Sequence, residues 1–294
     1  MATEVKIILG IFLILILLIF REIRKENREF VVTHYEIKTK KLKHTSLRIA
    51  FLSDLHGKEY GNENEELLEA IEKAHPDLIL IGGDMIVGKK VFSSEDAAKL
   101  IEKLPKIAPV YYANGNHEQR IRERIEICGP LYEEYKERLE RAGVTWLVND
   151  SRTLEWDGNK IQITGTEAPY DCFKRLIHKE FEESELRELV GTSAKEGFQI
   201  LLAHHPKFAQ MYKNWGADLT LSGHLHGGVA RLPIFGGIGV ISPQIRLFPK
   251  YSGDCYDLGD DSHILVSKGL GTHTINIRFW NPAELIVLDI VGES

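Results

Sequence analysis

The sequence is poor in cysteine and has no excess of positive charge, and each shortage disfavours a class of protein. Among 294 residues there are only three cysteines, none at a CxxC or Cys/His spacing, namely Cys128, Cys172 and Cys255. A disulfide framework or a zinc knuckle is therefore not indicated, and three buried free thiols are expected. The formal net charge of −6 disfavours nucleic acid as a partner, and a phosphate-bearing substrate would need a local source of positive charge.

One long apolar run stands out, at the N-terminus. Residues 5–20 are apolar apart from Lys6 and Gly10, although a spanning helix usually needs about 20 residues. A signal peptide is the alternative, but no small-residue cleavage site follows, so we expect an uncleaved anchor over residues 1–21. Four basic residues follow the run, which places the downstream part in the cytoplasm by the positive-inside rule, with the extracytoplasmic side as the alternative: Arg21, Arg24, Lys25 and Arg28.

The rest of the chain predicts one α/β domain. We expect a basic linker over residues 22–32 and a single domain over residues 33–294, since 43% hydrophobic residues supply ample material for one core. Short apolar segments that end in polar loops alternate with helical periodicity, a rhythm typical of α/β layers. Strands are predicted at 30–39 (an edge strand), 47–52, 77–81, 108–113, 145–148, 152–156, 160–164, 199–203, 219–222, 263–268 and 284–290, and helices at 62–74, 94–104, 118–141 (solvated) and 180–189. A hairpin turn is predicted at residues 157–159.

Five of the predicted strands end in side chains that bind metals. Ligands of α/β domains lie beyond the carboxyl ends of strands, so these side chains are expected to share one site. Neighbouring glycines allow the backbone segments to approach closely. The candidates, in strand order, are Asp54 with His56, Asp84, Asn116 with His117, His204, and His224 with His226.

The donor set limits the metal. Imidazole, carboxylate and amide groups without thiolate suit Mn, Fe, Zn, Co or Ni, with Mn favoured here, and so many histidines disfavour calcium. Seven ligands are too many for one tetrahedral ion but suit two ions about 3.5–4 Å apart that share a carboxylate. Asp84 is the candidate for that bridging carboxylate.

These motifs resemble those of the calcineurin-like metallophosphoesterases. The resemblance is carried by Asp54-Leu-His56, Gly83-Asp84, Gly115-Asn116-His117-Glu118, His204 and Gly223-His224-Leu-His226, over residues 47–228. The later segments 267–271 and 278–282 are similar to the membrane-associated bacterial branch of YkuE and YaeI. The resemblance implies a four-layer α/β/β/α sandwich of two mixed β-sheets flanked by helices, with a dinuclear metal centre at the strand ends.

The same resemblance implies a role for each residue. Asp54, His56 and His226 would hold the first metal ion, Asp84 would bridge, and Asn116, His204 and His224 would hold the second. His117 would act as a proton donor or charge stabiliser beside the leaving oxygen. His204 is preferred to His205 because the family's ligand is followed by one residue and then proline, which makes His205 a supporting or exposed residue, with the reverse order left open.

Weaker candidates stay outside the predicted site. Arg120, Arg122 and Arg124 follow the Asn-His-Glu motif, where a solvated helix face is the simpler interpretation, and Lys268 and Arg278 have a comparable claim to the substrate. Val229 stands where the family usually has glutamine, so no substrate-binding residue is named from that position. The remaining histidines are expected to be surface or structural residues: His34, His44, His75, His178, His263 and His273.

The predicted activity is hydrolysis of phosphodiester or pyrophosphate bonds at the membrane by a metal-bridging hydroxide. The anchor suggests a lipid-linked or cell-wall substrate, since tethering raises the rate of encounter with membrane substrates. The alternatives are a phosphomonoesterase or protein phosphatase, because the metals set the reaction while other loops set the leaving group. An inactive membrane-bound scaffold would be expected to lose ligands, yet all eight positions are filled. The metal's identity, the oligomeric state and the substrate are not given by the sequence.

Overall fold

The computed structural model of the chain describes residues 2–87, 94–174, 179–194, 196–232, 237–272 and 276–293. The helices are α1 (Ala2–Glu26), α2 (Glu65–Ala74), α3 (Glu95–Lys103), α4 (Asn116–Glu123), α5 (Ile125–Cys128), α6 (Leu131–Arg141), α7 (Glu183–Val190) and α8 (Ala209–Trp215). The strands are β1 (Phe30–Thr39), β2 (Ser46–Leu52), β3 (Leu78–Ile81), β4 (Val110–Ala113), β5 (Val144–Leu147), β6 (Asp150–Trp156), β7 (Asn159–Thr166), β8 (Phe198–Ala203), β9 (Leu219–Ser222), β10 (Arg231–Leu232), β11 (Ile238–Gly239), β12 (Asp254–Gly259), β13 (Ser262–Val266) and β14 (Ala283–Gly292).

Two six-stranded mixed sheets form the centre of the described fold. The first has the order β1-β14-β2-β3-β4-β5, and the second has the order β12-β13-β9-β8-β7-β6. Strands β2 to β5 run parallel, as do β7, β8, β9 and β13, while β14 is antiparallel to β2 and the edge strands β6 and β12 are antiparallel to their neighbours. The carboxyl ends of each parallel set therefore meet at one edge of its sheet.

The two sheets pack face to face, with helices outside them. One buried cluster joins their inner faces, for example Ile49 and Leu80 of the first sheet with Ile163 and Leu202 of the second. A second cluster joins the outer face of the first sheet to α2, α3 and α6, and a third joins the outer face of the second sheet to α7 and α8. The central strands β3, β4, β8 and β9 are largely apolar because both of their faces are buried. The predicted α/β/β/α layers are confirmed.

The predicted strands are confirmed, with boundaries shifted by a few residues. The predicted edge strand at residues 30–39 is β1, which pairs in parallel with β14 along its full length. The predicted hairpin joins β6 to β7, where Asp157 and Gly158 both adopt positive φ angles (46° and 74°) between the paired residues Trp156 and Asn159. A two-residue turn with both φ values positive matches the twist of the strands that it joins.

The prediction of one solvated helix over residues 118–141 is wrong. Three helices, α4, α5 and α6, occupy this segment, because the chain leaves helical geometry at Arg124 and again at Gly129-Pro130. Proline cannot continue a preceding helix, and Gly129 takes a φ of 61° there. Nor is the segment fully solvated, since its buried residues include Glu118, Tyr132, Tyr135 and Leu139.

Cysteines and the N-terminal segment complete the description. All three thiols are free, but only Cys172 is buried, while Cys128 and Cys255 are half-buried, so the expectation of full burial is wrong for those two. Helix α1 runs through the predicted boundary at residue 21 as far as Glu26, and β1 begins at Phe30, upstream of the boundary predicted at residue 33. Within α1, residues 3–26 are long and apolar enough to cross a membrane, and the apolar part of this segment is not buried against the rest of the chain.

Candidate metal centre

The eight predicted side chains meet where the carboxyl ends of the two sheets face each other. Loops after β2, β3 and β4 bring Asp54, His56, Asp84, Asn116 and His117 from the first sheet, and loops after β8 and β9 bring the other three from the second. Three overlapping groups have donor atoms within 4.8 Å of one another: Asp54, His56 and His226; His56, Asp84 and His117; and Asp84, His204 and His224. The expectation that strand ends collect these residues at one place is confirmed.

Unusual backbone geometry directs several of these side chains inward. Asp54, His56, Asp84, His224 and His226 all have φ between 51° and 69°, in the left-handed region that non-glycine residues rarely occupy. Each such residue costs about 1–3 kcal/mol unless its surroundings hold it in place. The first two loops do hold each other, since the backbone N–H groups of residues 54, 56 and 57 donate to the carbonyls of residues 83, 84 and 85.

Two glycines allow the loops to come this close. A Cβ atom at Gly115 would lie 2.2 Å from Asp84 Oδ1, and one at Gly223 would lie 2.1 Å from Asp54 Oδ2. Any larger residue would push the carboxylates out of position. The glycines of the Gly-Asn-His and Gly-His-Leu-His motifs thus form part of the cradle around the two aspartates.

Asp84 lies between the two halves of the cluster. Its Oδ1 accepts a hydrogen bond from the backbone N–H of His117 at 2.7 Å. Its Oδ2 lies 3.2 Å from His204 Nε2, 3.9 Å from His117 Nε2 and 4.0 Å from His56 Nε2. One oxygen is therefore fixed by the backbone, while the other faces nitrogen donors from both sheets, as a carboxylate shared by two cations would.

Asp54 is the centre of the other half. Its carboxylate accepts the backbone N–H of His224 at 3.1 Å and the hydroxyl of Ser53 at 2.5 Å. Oδ1 lies 3.3 Å from His226 Nε2 and 3.8 Å from His56 Nε2, and the two imidazole nitrogens are themselves 3.0 Å apart. Three donor atoms at such separations can surround a single cation.

Hydrogen bonds to carbonyl groups fix the orientation of two histidines. The Nδ1 atoms of His204 and His226 lie 2.7 Å and 3.2 Å from the carbonyl oxygens of Gly82 and Gly271. A carbonyl can only accept, so each Nδ1 is the protonated nitrogen in the neutral ring and Nε2 is left to face the carboxylates. This arrangement is common for metal-binding histidines.

His205 lies behind the cluster rather than in it. Its side chain is buried, Nδ1 accepts the backbone N–H of Lys207, and Nε2 lies 3.4 Å from Gln244 Nε2. Its ring packs 4.7 Å from that of His224. Burial, with His204 adding to the effect, lowers the pKa of His205 to about 3, so it is a neutral packing partner. The preference for His204 in the cluster agrees with this placement, and an exposed position for His205 is ruled out.

Some polar atoms of the cluster lack a hydrogen-bond partner within the described residues. Asn116 Oδ1 and His224 Nε2, both buried, are among them. A buried, unsatisfied acceptor costs about 1–3 kcal/mol, so such atoms usually have a partner. Asn116 Oδ1 is an acceptor, and His224 lies in one group of potential ligands with Asp84 and His204, so a cation would give both atoms a partner. The donor set of the site therefore fits divalent metal ions.

The acid–base state of the protein alone points the same way. Burial tends to raise the pKa of Asp84, but His204 and His117 outweigh it and hold that pKa well below its usual range. Burial, with Asp84 nearby, raises the pKa of Asp54 to about 6. Burial tends to lower the pKa of His204, but the two carboxylates raise it to about 10. His204 Nε2 lies 3.2 Å from Asp84 Oδ2 and 3.7 Å from Asp54 Oδ1, so its raised pKa favours positive charge between the aspartates, in a place that suits a cation.

Glu118 is a residue of the site whose role the sequence prediction missed. Its buried carboxylate accepts the backbone N–H groups of Asp84, Met85 and Gly115 at 2.8–3.0 Å and the hydroxyl of Tyr112 at 2.9 Å. It thereby ties the loop after β3 to the start of α4. The signal was present in the sequence, because a Glu three residues after the N-cap residue, here Gly115, is the pattern of a capping box.

A cavity of about 270 Å³ opens in front of the cluster. Part of its lining was not predicted from the sequence, including Tyr170, Phe173, Lys174 and Gln244. Arg120, one of the three arginines named above as weaker candidates, also lines the cavity. These residues come from segments that no metal motif marks. Arg120 and Lys174 supply positive charge at the cavity in a chain of net charge −6.

The other weak candidates are used structurally. Arg122 forms an ion pair with Glu167 at 2.5 Å, and Lys268 forms one with Glu284 at 2.8 Å. Arg278 is buried, and its guanidinium donates to the carbonyls of Lys268, Gly269, Gly271 and Asn281. Val229 makes backbone hydrogen bonds to Ile241 and Phe279.

The remaining histidines stay outside the site as far as the structure describes them. His34, His44 and His75 are exposed and His263 is half-buried, and no potential metal-binding group among the described residues includes them. His178 and His273 lie outside the described residues.

Comparison with known proteins identifies the family. Residues 47–228, more than half of the chain, match the family model described as calcineurin-like phosphoesterase. The chain is 28% identical to the uncharacterized metallophosphoesterase YkuE of Bacillus subtilis over 88% of this chain and 84% of that protein. It is 27% identical to phosphodiesterase YaeI of Escherichia coli over 83% of this chain and 82% of that protein. It is 28% identical to a metallophosphoesterase of Caenorhabditis elegans over 83% of this chain, but spans only 48% of that longer protein.

The chain belongs to the calcineurin-like phosphoesterase family. The predicted family and its YkuE/YaeI-like branch are confirmed. It is a phosphoric ester hydrolase, and its clustered histidines and aspartates are those of a metal-dependent one.

Proposed function

We propose that this protein hydrolyses phosphodiester or pyrophosphate bonds at a membrane, with two divalent metal ions in the centre described above. The observation that carries the proposal is the position of Asp84, whose Oδ2 faces imidazole nitrogens of His56 from one sheet and His204 from the other. A carboxylate so placed can be shared by two ions, whereas a single tetrahedral ion would leave several of the donors unused.

The two ions would divide the donors between them. Asp54, His56 and His226 would hold one ion, and Asn116, His204 and His224 would hold the other, with Asp84 common to both. The groupings of donor atoms support this division. When bound, the ions would polarise the phosphoryl oxygens and lower the pKa of an attacking water. Mn is the favoured metal, and Fe, Zn, Co and Ni are alternatives because they suit the same donors.

His117 would serve the leaving group. It lines the cavity, and its Nε2 faces Asp84 at 3.9 Å, a longer distance than that of His204. Its backbone N–H is bound to Asp84 Oδ1, which fixes the residue at the start of α4 while its ring borders the cavity. An imidazole in this position can donate a proton to a departing oxygen. Arg120 and Lys174, at the same cavity, add positive charge that attracts an anionic substrate.

A diester is favoured over a monoester by the shape of the lining and by one relative. Tyr170, Phe173 and Pro243 form a partly apolar wall in the cavity, which suits the second organic group that a diester carries on phosphorus. The relative YaeI is named a phosphodiesterase. The membrane location is supported by α1, whose apolar part is not buried, and by the basic residues that follow this part, which favour a cytoplasmic domain.

The proposal is tested with the full chain in detergent after chelation and re-supply of Mn²⁺. Rates with bis-p-nitrophenyl phosphate and p-nitrophenyl phosphate are compared for the wild type, for Asp84→Asn and for the control Asp96→Asn on α3. We expect metal-restored cleavage that favours the diester, is abolished by Asp84→Asn and is unchanged in the control. Preference for the monoester would contradict the diesterase proposal in favour of a phosphatase, and absence of turnover with either ester under any of the five metals would contradict it altogether.

A further inference from the structure

The segment of residues 242–251, here called the 242–251 loop, exposes apolar side chains beside the catalytic cavity. Ile245, Leu247 and Phe248 are 61%, 67% and 57% exposed. Three large apolar residues within four positions are unusual on a water-facing surface, where isolated ones are common. Basic residues alternate with them, namely Arg246 and Lys250.

The backbone holds these side chains outward. The carbonyl of Ser242 accepts the N–H of Ile245, and the N–H of Ser242 donates to the carbonyl of Arg246 at 2.9 Å, which closes a tight turn. Ile245 and Phe248 have φ of 63° and 50°, a conformation that is a genuine outlier for β-branched or bulky residues. The chain therefore accepts strain in a turn whose apolar residues are not used in the core. Such strain commonly marks a functional segment.

The 242–251 loop belongs to a small ribbon that reaches the end of α1. Residues 246–248 pair with 240–242, residues 238–241 pair with 229–232, and residues 229–231 bond to Phe279. Next to Phe279, the N–H of Asn281 donates to Glu26 Oε2 at 3.0 Å. Paired segments lie about 4.8 Å apart. Three such spacings place Leu247 about 15 Å from this contact.

The same ribbon is joined to the catalytic cavity. It follows directly on the His224–Gly228 loop. Asn281 Nδ2 donates hydrogen bonds to the carbonyl groups of His226 and Gly228 in that loop. On the other side, Pro243 and Gln244 of the 242–251 loop line the catalytic cavity. The end of the apolar helix, the cavity and the exposed loop are therefore neighbours on one side of the molecule.

We infer that the 242–251 loop inserts its apolar tip into the membrane that α1 enters, at the surface of an anionic leaflet. This inference rests on the proposed membrane location. Ile245, Leu247 and Phe248 would be buried at the headgroup boundary, while Arg246 and Lys250 would meet anionic headgroups together with the basic residues after the apolar run of α1. Trp280 at the base of α1, 50% exposed, suits the same interface. The cavity would then open onto the lipid surface, so that the phosphoester substrate belongs to a lipid headgroup.

The inference is tested with the full-length protein in nanodiscs that contain phosphatidylglycerol and phosphatidylcholine. Leu247→Trp introduces a fluorescent probe at the loop, and Leu189→Trp, at an exposed apolar position of α7, is the matched control. Spectra of the wild type in the same discs are subtracted, because it contains four tryptophans. Lipids brominated on their acyl chains quench only tryptophans that reach them.

We expect bromine quenching and a blue shift for Trp introduced at 247, and neither for the control. Adding Arg246→Gln and Lys250→Gln should lower the ratio of inserted to non-inserted loop by about fivefold for each charge removed. This effect should occur only in discs with phosphatidylglycerol. Phe248→Trp repeats the measurement if the first variant does not fold, as judged by metal-dependent hydrolysis of bis-p-nitrophenyl phosphate.

Four outcomes would overturn the inference. Equal quenching at both positions would indicate nonspecific contact with lipid, and a blue shift without quenching would indicate that another protein surface covers the loop. Absence of both effects in a protein that remains in the disc and cleaves the diester would refute the loop's role while leaving the proposed function intact. Loss of the protein from the disc, in contrast, would refute the membrane location on which the inference depends.

Discussion

At the scale of single residues, His117 differs from the other histidines of the site in its surroundings. It borders the cavity, and its Nε2 lies farther from Asp84 than that of His204 does, by 3.9 Å against 3.2 Å. A proton donor matters most when the leaving oxygen is a poor leaving group. It matters less for p-nitrophenolate, which departs readily without a proton.

His117→Ala should therefore reduce kcat by about 10²–10⁴-fold for an alkyl phosphodiester, and by clearly less for bis-p-nitrophenyl phosphate. The bound metal content, measured by elemental mass spectrometry, should not change. His34→Ala, at an exposed histidine of β1, is the control and should leave both rates unaltered. An equal loss with the two substrates, or a loss of metal, would argue that His117 holds metal rather than transfers a proton.

The raised pKa of His204 leads to an expected pH dependence of metal binding. In the metal-free protein its pKa is raised from 6.5 to about 10 by Asp84 and Asp54, in spite of burial. A raised histidine pKa stabilises the folded state below the unfolded pKa, and this contribution is lost as the pH rises from 6.5 towards 10. The metal-free protein should thus become less stable over this range, and metal binding should release a proton.

Calorimetric titration of the metal-free protein with Mn²⁺ in buffers of different ionisation enthalpy counts that proton. Near pH 8 we expect about one proton released for the His204 position and an apparent affinity that rises about tenfold per pH unit. Binding that releases no proton and is independent of pH between 7 and 9 would contradict a protonated His204 in the cluster.

Glu118 is expected to be important for stability although it contacts neither substrate nor metal. Replacing the carboxylate by an amide, Glu118→Gln, turns an NH₂ group toward backbone N–H donors that the carboxylate now accepts. The free energy of unfolding should fall by about 3 kcal/mol, since hydrogen bonds to charged groups contribute about 1.5–3 kcal/mol each. In thermal melts of the metal-free protein this corresponds to roughly 10 °C. Glu133→Gln, at an exposed position of α6, should change Tm little, and an equal effect of both variants would count against this account.

At the scale of elements, α1 is predicted to be the membrane anchor. Leu13→Arg places a charge near the centre of its apolar run, where insertion costs about 2.5–3.5 kcal/mol. After alkaline carbonate extraction we expect the wild type in the membrane pellet and a large share of the variant in the supernatant. Glu22→Arg, at the polar end of α1, serves as the control and should stay in the pellet. Full extraction of the wild type would show that α1 does not span a membrane.

The predicted strands and helices differ in how well the sequence locates them. Strands buried on both faces are continuous apolar segments, so β2, β3, β8 and β9 and the polar loops after them could be placed from the sequence. The helical segment 118–141 was predicted wrongly because its charges suggested one exposed helix. The break at Gly129-Pro130 is a local signal that this prediction overlooked, whereas the burial of Tyr132 and Tyr135 depends on packing against the first sheet.

The site shows the same division. Its eight candidate residues could be named from the sequence because short motifs carry them, and the structure brings these residues together. The cavity lining was not, since Tyr170, Phe173 and Gln244 come from loops whose sequence has no metal-binding pattern. Their positions depend on contacts far along the chain, such as that of Gln244 Nε2 with the carbonyl of Cys172. The residues that would select the substrate therefore lie in loops that the sequence alone does not identify.

At the scale of the whole molecule, an acidic chain has to attract and cleave an anionic substrate. The net charge is −6, and two of the carboxylates that contribute to it, Asp54 and Asp84, are buried in the cluster. Two divalent cations would reverse the local charge, and Arg120 and Lys174 at the cavity would add to it. In this account the metals provide the positive field that the composition lacks, and two ions rather than one are needed to use the donors from both sheets.

The number of bound ions is the measurement that tests this account most directly. The full chain is stripped by chelation, saturated with Mn²⁺, and examined by elemental analysis and electron paramagnetic resonance, together with Asp84→Asn and the control Asp96→Asn. We predict two Mn²⁺ per chain with magnetic coupling between them, and loss of that coupling in Asp84→Asn only. A single ion per chain at saturation, with undiminished hydrolysis of the diester, would contradict the dinuclear centre.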